Sequence, residues 1–228
     1  MKGPDENMMG VPKIENFLTF RNPRTSEYRE LIQAVGQNLY EGGAVTGEKG
    51  LHSKSWFDPL IVDQDVENTL KGYLPSRPLI DLGGGSLSIM GKFAETYQAG
   101  PYNNVEITYR STSELPATED IEKFKPATPP VIVKMDILDF LSKLDPKGIY
   151  AAANYTINGI DEIVIENDRY HEAIARELGR VVQPKSIVFG IGSNALKILP
   201  RYGFSRLEIP GGSTFSDAAP DTGIFIKN

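Results

Sequence analysis

Asp81-Leu82-Gly83-Gly84-Gly85-Ser86 is the stretch on which the fold turns. It follows the apolar run Pro78-Leu79-Ile80 and precedes a helical pattern from Leu87 to Tyr97. A strand, then glycines, then a helix is how an α/β protein turns backbone N–H groups and a helix N-terminus toward a nucleotide-like ligand. Asp81, at the strand end, can orient loop amides or accept a hydrogen bond from a ligand amine.

Downstream the pattern repeats. The helix after the glycines carries Ile89, Met90, Phe93, Ala94 and Tyr97 on one side and ends at Gly100-Pro101. Val105 to Tyr109 alternates and is β-rich, which predicts a second strand. Residues 111 to 130 are polar and proline-containing, an irregular connection. Val131 to Met135 reads as strand three, followed at once by Asp136 and a short helix with Ile137, Phe140, Leu141 and Leu144. Gly148 to Asn154 reads as strand four, with alanines at 151 to 153 that allow close approach of a neighbour. Asp168 caps a long helix through Val182, whose apolar face is Ile174, Leu178, Val181 and Val182. Ser186 to Ile191 is strand five, and Ser193 to Leu199 is a helix stopped by Pro200. Ser205 to Ile209 and Gly223 to Lys227, joined by a long turn, form an antiparallel hairpin. Alternating βα units predict a parallel sheet with helices on both faces.

Upstream, residues 1 to 24 read as a loose arm from which Ile14, Phe17, Leu18 and Phe20 dock onto the body. Thr25-Ser26 starts a helix whose face is Tyr28, Leu31, Ile32, Val35 and Leu39, stopped by Gly42-Gly43. Ala44 to Pro59, with His52, Trp56 and Phe57, is either a plug at the domain's edge or a lid over the glycine turn. Asp63 to Lys71 is a short helix ended by Gly72.

The chain has 228 residues, 40% of them apolar and 24% charged, the profile of an ordinary soluble globular protein. No run approaches the ~18 apolar residues of a membrane span. Met1 to Gly10 lacks the apolar core of a signal peptide. There is no cysteine, which removes disulfides, thiolate metal ligands and thiol nucleophiles and agrees with a cytoplasmic protein. Thirty acidic against 24 basic residues, with no Lys/Arg block, argue against a nucleic-acid partner and for a small-molecule or peptide one. The two histidines, His52 and His171, cannot build a His-rich metal site, whereas an oxygen-ligated Mg²⁺ site could be built; no residue is assigned as a metal ligand.

With these elements in place, the chain resembles the class I S-adenosylmethionine-dependent methyltransferases. The likeness covers residues 65 to 228 as a methyltransferase-like Rossmann domain, with residues 1 to 64 as an N-terminal arm and helical cap or lid. It rests on Leu79 to Gly85, on Asp136-Ile137-Leu138 after strand three, on the helix, proline turn and fifth strand from Glu172 to Phe189, and on Tyr202-Gly203-Phe204 before the hairpin. The resemblance implies a Rossmann-like, mostly parallel seven-stranded sheet with a C-terminal antiparallel hairpin. It also implies S-adenosyl-L-methionine as cofactor and methyl transfer to a small organic acceptor. Gly83, Gly84 and Gly85 would admit the methionine part, and Asp81 would hold its amino group. Asp136 would accept from the adenine N6 amine, with the backbone of Ile137 near the ring. Asn154 and Tyr155, taken as following strand four, would lie beside the reactive methyl group. Arg110 stands at the end of strand two, where the family has an acidic residue for the ribose, and Leu87 stands where it has a third glycine.

Methyl transfer is an in-line displacement at a sulfonium, so a base is needed only to deprotonate the acceptor. His171 and Tyr155 are the catalytic candidates. Bland alternatives stand beside each site: a solvated helix residue for His171, a helix cap for Asp136, and a strand-end turn for Asn154-Tyr155. Two other functions stay open. One is a methyltransferase-like binding or regulatory domain without turnover. The other is an NAD(P)-binding oxidoreductase, suggested by the spacing of Gly83, Gly85 and Ser88 and opposed by the hairpin and Asp136.

Overall fold

The computed structural model describes residues 12–41, 64–83, 89–105, 127–128, 131–158, 168–191, 193–209 and 223–228. The helices are α1 (Thr25–Glu41), α2 (Gln64–Lys71), α3 (Ile89–Thr96), α4 (Ile137–Lys143), α5 (Asp168–Val181) and α6 (Asn194–Ile198). The strands are β1 (Leu79–Leu82), β2 (Tyr102–Val105), β3 (Val131–Val133), β4 (Asn154–Asn158), β5 (Ile187–Ile191), β6 (Phe204–Arg206) and β7 (Gly223–Lys227). They form one seven-stranded sheet in the order β3-β2-β1-β4-β5-β7-β6. The pairs from β3 through β5 are parallel. β7 alone is reversed, running antiparallel to β5 on one side and to β6 on the other.

Alternation along β1 sorts the sheet into two faces, as a period of two requires. Ile80 and Leu82 join Tyr155, Ile157 and Val188 in the core under α4, α5 and α6. Leu79 joins Tyr102, Ile187 and Phe189 in a second core under α2 and α3, which supply Val66, Leu70, Phe93 and Ala94. Asp81, the other odd position of β1, therefore belongs to the α2/α3 face.

Strand four differs from the sequence reading. The alanine-rich stretch does not extend: Ile149–Ala152 is a 3₁₀ turn, and β4 begins only at Asn154. Alanine is a weak strand former, whereas Tyr155-Thr156-Ile157 is aromatic and β-branched. Asn154 fixes the start of the strand. Its Nδ2 donates to the Tyr73 carbonyl at 2.8 Å, and its Oδ1 accepts from the Ile187 amide at 3.0 Å. Strand two starts at Tyr102, three residues before the expected start; positions 106 to 109 lie outside the described residues. The turn at Pro200 does not stop the chain's winding but tightens it, from α6 into a 3₁₀ turn over Leu199–Tyr202.

Ile14, Phe17, Leu18 and Phe20 dock onto the body as expected, and the segment from residue 12 to 24 is further fastened by backbone bonds. The Phe20 amide donates to the Lys143 carbonyl at 2.8 Å, and the Asp145 amide donates to the Phe17 carbonyl at 2.9 Å. Ile14, Tyr28, Leu31 and Val35 are buried in the same core as α4 and α5. A buried carboxylate on α5 anchors this cover. Glu177 accepts from the Tyr28 hydroxyl at 2.6 Å, from Asn22 Nδ2 at 3.0 Å and from Arg180 Nε at 2.6 Å. Arg180 also donates to the Leu141 carbonyl on α4 at 2.6 Å, under the Phe20 ring.

Parallel strands β4 and β5 approach closely at Gly190, where an added Cβ would run into the Ile157 carbonyl oxygen. Because that neighbour is backbone in the centre of the sheet, it cannot swing aside. Gly190→Ala should cost about 1–3 kcal/mol by overpacking. A thermal melt would read this as a drop of several degrees, and an unchanged midpoint would contradict the close approach.

Candidate functional site

In an open α/β sheet, ligands sit outside the carboxyl ends of the strands at the point where strand order reverses. Here that point is β1, flanked by β2 on one side and β4 on the other. The first residue beyond β1 is Gly83. Its φ of +74° is left-handed, and its amide is spent on the Val105 carbonyl at 3.0 Å. That bond ties the exits of β1 and β2 together and turns the chain sharply, a conformation glycine adopts without a Cβ penalty. Gly84 and Gly85 lie outside the described residues, as does Arg110.

Asp136 leaves β3 at the same edge. It is the N-cap of α4: Oδ1 accepts from the Leu138 amide at 2.8 Å and from the Asp139 amide at 3.2 Å. Oδ2 accepts from the Tyr170 hydroxyl at 2.9 Å. Burial raises its pKa above the ordinary carboxylate value; the Tyr170 hydroxyl and the two backbone donors pull the other way, and the charge of Asp139 adds a smaller raising effect. The capping role is therefore real, and it does not exhaust the group. A carboxylate has about four acceptor positions; the described residues fill two on Oδ1 and one on Oδ2. Ile137, the next residue, is buried against the core.

Asp81 lies within β1, not past it, and is 1% exposed. Its Oδ2 accepts from the Tyr102 hydroxyl at 2.7 Å. The carboxylate thus faces β2 beneath the glycine turn.

Asn154 and Tyr155 are not brought to this edge. Both stand at the start of β4, where Asn154 pairs with Leu79 at the far end of β1. The Tyr155 hydroxyl donates to the Tyr150 carbonyl at 2.6 Å, and burial pushes its pKa far up. A phenol so enclosed cannot reach a reacting atom at the carboxyl ends. The residue that actually closes β4 is Asn158. His171 is not a solvated helix residue: it is 1% exposed, beside Tyr170 in the first turn of α5. No group of three or more His, Cys, Asp or Glu suited to a metal ion occurs among the described residues.

Two residues of the site were not singled out from the sequence, Tyr170 and Tyr102. Tyr170 precedes Ile174 by one helical turn and so extends the apolar face of α5. A polar tip on that face was the available signal.

What decides the architecture is β7. It is the only reversed strand among the described residues, and it is inserted between β5 and β6 of an otherwise parallel sheet. This mostly parallel seven-stranded sheet with its antiparallel C-terminal strand is the arrangement that the resemblance to the class I S-adenosylmethionine-dependent methyltransferases implies. No protein-family model matches the chain, and no curated protein matches its sequence. Solved structures do match, at low identity. A mutant of MtNAS in complex with S-adenosylmethionine is 13% identical, with 90% of this chain and 76% of that one covered and a TM-score of 0.42. A candidate S-adenosylmethionine-dependent methyltransferase from Listeria monocytogenes is 12% identical, with coverage of 71% and 97% and a TM-score of 0.43. The aminoglycoside resistance methyltransferase NpmB1 is 10% identical, with coverage of 72% and 94% and a TM-score of 0.42. Likenesses this distant carry no argument about activity; the fold rests on the strand order and direction. Among the described residues no helix is long and apolar enough to cross a membrane.

Proposed function

We propose that this chain is a cytoplasmic enzyme that moves a methyl group from S-adenosylmethionine to a small organic acceptor. The observation that carries the reading is Asp136. It is held rigidly by three donors at the carboxyl edge, it keeps acceptor capacity, and it lies on the same edge as the left-handed Gly83 at the strand-order reversal. That geometry fits an adenine amine at Asp136 and the methionine part at the exit of β1. The cofactor, when bound, supplies a methyl group on a cationic sulfonium. The chain's own residues bind and orient. Asp136 would accept from N6 and Ile137 would offer its backbone beside the ring, while the buried Asp81 carboxyl, two residues before Gly83, is bonded to the Tyr102 hydroxyl. The division into a cap at 1 to 64 and a catalytic domain at 65 to 228 belongs to this reading. Residues 12 to 41 cover the α4/α5 side.

One observation favours a second reading, a binding domain without turnover: Asp81 faces Tyr102 and not solvent. Incubating the full chain with methyl-labelled S-adenosylmethionine and a small-metabolite extract separates the two. Label should appear in a small-molecule fraction and be suppressed by S-adenosylhomocysteine. Saturable binding of the donor with no transfer to metabolites, protein or RNA would leave the binding-domain reading.

A further inference from the structure

Tyr170 stands apart from the residues already assigned. It lies on α5, is 3% exposed, and sends its hydroxyl to Oδ2 of Asp136, the same oxygen that keeps capacity for a ligand. Oδ1 is committed to the cap of α4. The carboxylate is therefore pinned on both oxygens, its plane fixed from two different helices. We propose that Tyr170 is a positioning residue for the donor site, holding Asp136 as an outward acceptor and so setting a preference for a 6-amino over a 6-oxo purine. The proposal rests on the reading of this edge as the S-adenosylmethionine site.

The chemistry is one of matching. An ionised carboxylate accepts from an exocyclic amine and repels an exocyclic carbonyl oxygen. A protonated carboxyl can donate to that carbonyl instead, which erodes the discrimination. The Tyr170 hydroxyl donates to the ionised form and favours it. Among the described residues, the charged group that acts on Asp136 is Asp139 on α4, itself paired with Lys143 at 2.6 Å. Tyr170→Phe keeps the ring packing and removes only the donor, so Asp136 should take up a proton at higher pH.

The test is calorimetry of the full chain with S-adenosylhomocysteine and with its 6-oxo purine counterpart, repeated between about pH 5 and about pH 8, around the carboxylate and histidine range. The unmutated chain should prefer the 6-amino ligand and lose that preference as the pH falls. Tyr170→Phe should lower the preference about 3- to 10-fold, the scale of one lost hydrogen bond, and shift its pH midpoint upward. Asp136→Asn, which retains a good capping side chain, should prefer the 6-oxo ligand, and adding Tyr170→Phe to it should move no pH midpoint. An unchanged preference and midpoint in Tyr170→Phe overturns the role of Tyr170, and so does a 6-amino preference retained in Asp136→Asn. Binding of neither purine by the unmutated chain overturns the donor-site reading itself, a distinguishable result.

Discussion

Asp136→Asn should weaken S-adenosylhomocysteine about 10- to 100-fold, because a hydrogen bond to a charged group contributes roughly 1.5–3 kcal/mol. The substitution is chosen for what it leaves intact. Asparagine caps helices about as well as aspartate, so its Oδ1 can keep the Leu138 and Asp139 amides that Asp136 now holds. Its Nδ2 then stands where Oδ2 stood, and a donor meets the donor of the adenine amine. Asp136→Ala would confound the result by removing the cap as well, at about 1 kcal/mol of stability. The unmutated protein should show a related loss as pH falls. Burial raises the pKa of Asp136, so the folded chain takes up this proton at a higher pH than a free aspartate does. A raised carboxyl pKa makes the fold's share of stability from this group grow as pH falls, and shrink as pH rises through the folded value. Affinity and this part of stability should therefore move in opposite directions. Equal affinity in Asp136→Asn and the unmutated chain would remove Asp136 from the site.

Glu177→Ala should lower stability by about 3–5 kcal/mol, the range for breaking one side of a buried ion pair. The loss is large because three donors converge on one enclosed carboxylate: Tyr28, Asn22 and Arg180. Truncation removes the carboxylate acceptor of the Tyr28 hydroxyl, leaves the Asn22 amide only its longer bond to the Ser142 carbonyl at 3.4 Å, and leaves Arg180 Nε without its carboxylate. Burial, then the Glu177 carboxylate, already holds the Tyr28 hydroxyl well above its usual pKa. At about 2–4 °C per kcal/mol for a chain of this size, the melting midpoint should fall by roughly 6–20 °C. Tyr28→Phe, which removes one donor and leaves the charge paired, should cost only about 1 kcal/mol. A Glu177→Ala melt as small as that of Tyr28→Phe would show that the cover of residues 12 to 41 is held by its apolar contacts alone.

Much of this architecture was legible because it is written as periodicity. Leu79-Ile80 before the glycines, Val131-Ile132-Val133 before Asp136, and the face of α5 each carry a pattern that burial imposes locally. The reversed β7 was legible from its apolar composition and the long turn before it. Strand four was misplaced because alanines 151 to 153 are apolar but weak strand formers, and composition alone does not say where a strand starts. That shift moved Asn154 and Tyr155 from the ligand edge to the opposite end of the sheet. Tyr102 on Asp81, Tyr170 on Asp136 and Glu177 on Tyr28 are partnerships across 21, 34 and 149 positions. No local rule pairs such residues; only the packing of α5 against α4 and α1, and of β2 against β1, does so. What the sequence did hold was the oddity of a glutamate and a tyrosine tip on the buried stripe of α5.

The most direct measurement is an isothermal titration of the unmutated full chain with S-adenosylhomocysteine, with NADH and NADPH as separate titrants. A saturable, single-site heat with S-adenosylhomocysteine, and none with either nicotinamide cofactor, is the predicted result. Silence with S-adenosylhomocysteine, or binding of a nicotinamide cofactor in its place, would contradict the account.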